Sequence, residues 1–195
     1  MGTGTVARRF LPLFFLLGSS SAAYAAEFSD PRPHYVPAGG GFACTMSKEE
    51  FEQGQAQKRD VCLRIGPLYV GMTRADAETI LGKPVTNMPA NGREAFAYHL
   101  QSDAAGNMIT YAFAVYDDNA RALSVQLTGA PWSGNWPFAG LTLGSAEEAV
   151  AARLGTPKQT RKSEDEGAVH WSYLPWTFSF EIKAGVVSSI RIAVD

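Results

Sequence analysis

Few groups in this 195-residue chain could do acid–base chemistry. His99 and His170 are imidazoles able to take or give a proton near neutral pH, and Glu181 and Arg191 are of the types that orient them. Their spacing sets no nucleophile beside a base. There is no HExxH, no GxSxG and no phosphate-cradling glycine loop, so both histidines read as solvated positions on half-exposed strands. The chain therefore reads as a non-enzyme with no cofactor. His34 stands in a Pro/Gly-rich stretch without ligand types at metal spacing, and reads as a solvated linker histidine, not as a metal ligand.

The two cysteines, Cys44 and Cys62, are separated by 17 residues. In an exported chain this reads as a disulfide closing a small loop, worth about 3 kcal/mol in the chain-entropy model. The alternative, a redox or metal pair, lacks both the C-x-x-C spacing and histidine partners. Trp132 and Trp136 stand in the Gly/Pro/Ser-rich stretch Gly129–Phe138, either tucked against a seam or left as anchors for a partner.

The elements that must position these groups are written twice. Gly71–Pro84, GMTRADAETILGKP, and Gly144–Pro157, GSAEEAVAARLGTP, match at an offset of 73 residues. Thr73 and Ser145 are N-cap types with Asp76 and Glu148 three residues on, the spacing of a capping box. Ala77 and Leu81, and then Val150 and Leu154, make an apolar stripe, while Gly82 and Gly155 followed by Pro84 and Pro157 stop each helix. Two turns of helix are not stable alone in water, so each stripe must lie on a sheet.

The offset of 73 continues through Leu68 with Leu141, Ala95 with Ala168, Phe96 with Val169, and Tyr98 with Trp171. After the Gln101–Met108 loop it drops to 65, pairing Phe113 with Phe178, Val115 with Phe180 and Val125 with Ile190. These are alternating strands joined by turns at Asp117–Ala120 and Lys183–Gly185. Period-2 patterning places Phe96, Tyr98, Leu100, Phe113, Val115 and Val125 toward the helix in the first copy, and Val169, Trp171, Phe178, Phe180 and Ile190 in the second. The opposite parity is small and polar. It holds Ala97, His99, Ala112, Ala114, Tyr116, Ser124 and Gln126, and then His170, Ser172, Ser179, Glu181, Ser189 and Arg191.

Arg8 and Arg9, the apolar run Phe10–Leu17 and the small residues ending at Ala25 form a secretory signal pattern, with cleavage near Ala25. No apolar run is long enough for a transmembrane helix, and no cysteine follows the run closely enough to carry a lipid. Removing Arg8 and Arg9 takes the formal charge from −2 to −4, which offers no footprint for nucleic acid. The division expected is a signal peptide at 1–25, a Pro/Gly-rich leader at 26–43, a first module at 44–128, a Trp-containing linker at 129–137 and a second module at 138–195. Ser47–Arg59 should be helical, with Ser47 and Glu50 in capping-box spacing, and Lys158–Glu166 a solvated loop.

The G-M-T-x-x-x-x-x-x-L-G-x-P block followed by an aromatic-rich antiparallel sheet resembles the SmpA/OmlA family, to which the BamE component of the outer-membrane assembly machinery belongs. In tandem it is also similar to the secreted beta-lactamase inhibitor protein fold. The chain departs from both: the assembly component is a single-module lipoprotein, and the inhibitor has two disulfides. The resemblance implies an α+β fold, a tandem repeat of two modules, each with short helices on one face of an antiparallel sheet and the other face free to bind. The function expected is a periplasmic or secreted interaction module that binds an envelope or secreted protein partner through Trp132, Trp136, His99, Tyr116, Gln126, His170 and Arg191. The alternatives are an inhibitor of the beta-lactamase-inhibitor type, and a small-molecule or glycan binder, or an enzyme, using the histidine-bearing face.

Overall fold

The computed structural model describes residues 33–57, 60–90 and 92–194. The signal peptide expected at 1–25, and residues 26–32 of the leader, lie outside the described residues. No helix among the described residues is long and apolar enough to cross a membrane.

The structure is mostly β, which overturns the α+β expectation: 47% is strand against 16% helix, and the three helices among the described residues are short. Strands β1 (His34–Ala38) and β2 (Gly41–Thr45) form a hairpin, followed by helix α1 (Lys48–Gln57) and the small hairpin β3 (Arg64–Ile65) and β4 (Leu68–Tyr69). Helix α2 (Arg74–Leu81) precedes β5 (Thr86–Ala90), β6 (Arg93–Ser102), β7 (Met108–Tyr116) and β8 (Ala122–Gly129). Helix α3 (Glu147–Leu154) precedes β9 (Gln159–Lys162), β10 (Ala168–Ser172), β11 (Phe178–Lys183) and β12 (Val186–Ala193).

The two expected sheets are one. Eight antiparallel strands run in the order β5-β6-β7-β8-β12-β11-β10-β9, because the last strands of the two copies pair edge to edge. Each copy alone would leave the outer edge of one long apolar strand unpaired, and joining these edges satisfies both rows of backbone groups. The pairing is symmetric about Gln126 opposite Arg191, with Leu127 opposite Ile190 and Val125 opposite Ile192. One hydrophobic core lies on one face of this sheet, including Ala77 of α2, Val150 and Leu154 of α3, and Ile65 and Leu68 of the small hairpin.

Thr73 and Asp76 make the expected capping box, with the Asp76 N–H donating to Thr73 Oγ1 at 3.1 Å. Ser145 does not cap its helix. Ala146 is the N-cap there, and the Ser145 hydroxyl accepts instead from the Thr142 N–H at 2.9 Å. The helix units nevertheless dock alike: Gly71 N–H donates to the Ala122 carbonyl at 2.7 Å, and Gly144 N–H to that of Val187 at 2.8 Å.

From residue 34 onward the Pro/Gly-rich leader is a β-hairpin. Gly39 and Gly40, both with positive φ, turn the chain into the β1–β2 hairpin, and two-residue Gly-Gly loops favour that reversal. The hairpin lays Tyr35 against Phe178 and Phe42 against Trp176 and Tyr173. His34 is buried at 8% exposure, contrary to its reading as a solvated linker residue. The hairpin is tied by the Cys44–Cys62 disulfide, with Cα atoms 5.8 Å apart. Helix α1 begins with the expected Ser47–Glu50 box.

On β7 the faces are reversed from the sequence expectation. Ala112, Ala114 and Tyr116 face the core, and Phe113 and Val115 the open side. Tyr116 pairs with Ala122 around a five-residue turn, whereas Ile182 pairs with Val187 around four. The offset of 65 therefore holds on β8 against β12 but is one residue short on β7 against β11, and a one-residue slip exchanges faces. The equivalent residues are Ala114 with Phe180 and Tyr116 with Ile182. Small residues suit the inner face of β7 because Phe96 and Tyr98 of β6, directly opposite, fill that volume.

Candidate functional site

The open face of the sheet holds a cleft of about 720 Å³. Its walls include Met88 and Ala90 from one edge strand, β5, and Arg161 and Lys162 from the other, β9. Edges of an eight-stranded sheet meet in one cleft only when the sheet curls, so this face is concave.

Cross-strand register builds the floor. One row runs Phe113, Gln126, Arg191, Ser179, Ser172 across β7, β8, β12, β11 and β10. The next holds Ser189, Glu181, His170 and Arg161. Gln126 and Arg191 are thus equivalent residues of the two copies, facing each other at the centre. The Gln126 side-chain amide donates to Ser189 Oγ at 2.8 Å, and Glu181 accepts from the Ser163 hydroxyl.

The two halves keep their core faces apolar and differ on this face. Where the first copy has Phe113, Val115 and Gln126, the second has Ser179, Glu181 and Arg191. One side of the cleft is apolar and the other is charged. Burial within the walls, and then Arg161, hold the Arg191 guanidinium below its usual range. Burial also pushes the His170 imidazole down; Arg161 and, more weakly, Arg191 add to this, and Glu181 opposes it. Among the described residues neither Arg161 nor Arg191 is held in an ion pair. Two unpaired guanidiniums lining one cleft can hold an anion.

Of the seven candidate binding residues, the cleft brings together Gln126, His170 and Arg191. Tyr116 is in the core at 7% exposure, its hydroxyl 3.1 Å from that of Tyr98, and burial raises its pKa. His99 lies at the open-face end of β6, outside the cleft, with Nε2 2.9 Å from Ser102 Oγ. Trp132 and Trp136 stack edge to face at 4.6 Å and pack against the core, also outside the cleft. Trp136 covers Gly66 in the β3–β4 turn, whose N–H donates to the Pro137 carbonyl at 3.0 Å.

Arg161, Met88, Phe113 and Val115 were missed as site residues. Arg161 lay in a run read as a solvated loop, and its signal is the register that puts it opposite His170. The cluster Cys44, Asp60 and Cys62 has metal-ligand types, but both sulfurs are spent in the disulfide.

No family model matches the chain, and no curated protein does. Among solved structures it is similar to the crystal structure of a DUF4309 family protein (YjgB) from Bacillus subtilis subsp. subtilis str. 168, at a TM-score of 0.43 and 13% sequence identity, over 63% of this chain and 78% of that one. A likeness this distant carries neither fold nor role across.

Proposed function

We propose that this chain is an exported, non-enzymatic interaction module of the cell envelope that binds a protein partner in the concave face of its sheet. The observation that carries this reading is the cleft itself, open across both halves, apolar on one side and cationic on the other. On its floor the Gln126 amide donates to the Ser189 hydroxyl, and the Ser163 hydroxyl donates to Glu181. Inhibition of a secreted enzyme is one form such binding would take, and a panel of beta-lactamase, lysozyme and protease assays tests for it directly.

The test is site-specific photocross-linking in an envelope extract of the source organism, with the probe at Gln126 on the cleft floor or at Thr79 on the outer helix. One stoichiometric protein captured from Gln126 and not from Thr79 is the expected result. Capture of nothing, or equal capture from both positions, overturns the reading.

A further inference from the structure

Beyond the cleft being a binding face, its chemistry specifies what the partner presents. We propose that Arg161 and Arg191 receive a carboxylate side chain of the partner, while Phe113, Val115 and Met88 receive an apolar side chain about 10 Å away from it. This rests on the reading of the cleft as the partner-binding face.

The spacing follows from the ladder. Phe113, Gln126 and Arg191 are consecutive in one cross-strand row, so two strand spacings of about 4.8 Å separate Phe113 from Arg191, while Arg161, three strands further on β9, lines the same cleft. Charge selects the anion. Three cations at the cleft, Arg161, Lys162 and Arg191, face two carboxylates, Glu164 and Glu181, leaving one positive charge. A carboxylate neutralises that surplus, whereas a dianionic phosphate leaves an uncompensated charge beside Glu181. Guanidinium groups also match a carboxylate in two parallel hydrogen bonds. The divergence of the repeat points the same way. The residues equivalent to the apolar Phe113 and Val115 are Ser179 and Glu181, so the cleft distinguishes the two ends of what it holds. Met88, exposed on the edge strand, extends the apolar end with a side chain that adapts to different shapes.

The experiment pans a displayed random-heptapeptide library against the full chain and against the double variant Arg161→Gln, Arg191→Gln. Thermal melting first confirms that the variant folds, as substitution of two side chains outside the hydrophobic core allows. Retained peptides should carry Asp or Glu together with an apolar residue, and their affinity should fall at least about tenfold on the double variant. Phe113→Ser should abolish the apolar preference and keep the acidic one. Retained peptides without an acidic residue, or acidic peptides held equally by the double variant, overturn the carboxylate assignment and leave the binding face standing. Tighter binding when phosphoserine replaces the acidic residue also overturns it. If no peptide is retained in a way that Gln126→Trp blocks, the binding face falls with it.

Discussion

Replacing Gly66 by alanine tests how the Trp-containing segment is held. Gly66 has φ +54°, and an added Cβ would lie 2.5 Å from Trp136 Cγ and 2.6 Å from Trp136 Cβ. The second of these is tied to the backbone and does not swing aside. The left-handed conformation costs an alanine about 1–2 kcal/mol, and forcing a methyl into a filled site costs a further 1–3 kcal/mol or so. Gly71 provides the control. Its φ is +89°, and nothing lies within 4 Å of its Cβ direction, so Gly71→Ala should show the backbone cost alone. Urea unfolding followed by circular dichroism should give Gly66→Ala the larger loss by roughly 1–3 kcal/mol. In the Gly66→Ala, Trp136→Ala double variant the losses should be less than additive, because the indole that clashes is gone. Equal losses for the two glycines, or strict additivity, would refute the packing of Trp136 on Gly66.

The remaining predictions concern single contacts. Thr73→Ala should cost about 1 kcal/mol and speed amide exchange at Asp76; Ser145→Ala should speed exchange at Thr142 and leave Glu148 unchanged, since Ser145 is no cap. Arg161→Gln should raise the His170 pKa, read from its ring resonances by NMR, because Arg161 is the strongest charge holding it down. That depressed pKa also gives a sign: the unfolded chain takes up the proton first, so His170 costs stability as pH falls below about 6.5, and Arg161→Gln should shrink the loss in urea titrations at different pH. Cys44→Ser with Cys62→Ser should lower stability by about 3 kcal/mol, with the steepest loss of exchange protection in the β1–β2 hairpin.

The repeat, the strands and the disulfide were legible because each rests on local chemistry: Thr73 with Asp76, the Gly-Pro stops, two cysteines in one chain. The second copy's faces were legible too, since Ser179, Glu181, Ser189 and Arg191 alternate with large apolar residues. On β7 both parities are apolar, so size misled: Phe113 and Val115 looked like core, while the buried positions are Ala112 and Ala114. That Ala112 must be small follows from Tyr98 opposite it, a relation set by register and not by composition. The merging of the two sheets was out of reach for the same reason. Nothing in the local pattern of Ala122–Gly129 says whether its outer edge meets water or Val186–Ala193. Of the cleft, the polar half was visible through His170, Gln126 and Arg191, and the apolar half was hidden by the slip on β7.

The place of β12 also bears on the order in which the chain can complete itself. It is the last of the described strands in chain order and sits in the middle of the sheet, flanked by β8 and β11. A ribosome delivers β5 to β8 with their helix well before β12 exists, so through the intervening synthesis the exposed edge of β8 has no native mate. During that interval the edge is open to any other extended segment. A holdase that shields it until Val186–Ala193 arrives would be guarding the seam on which the whole cleft depends.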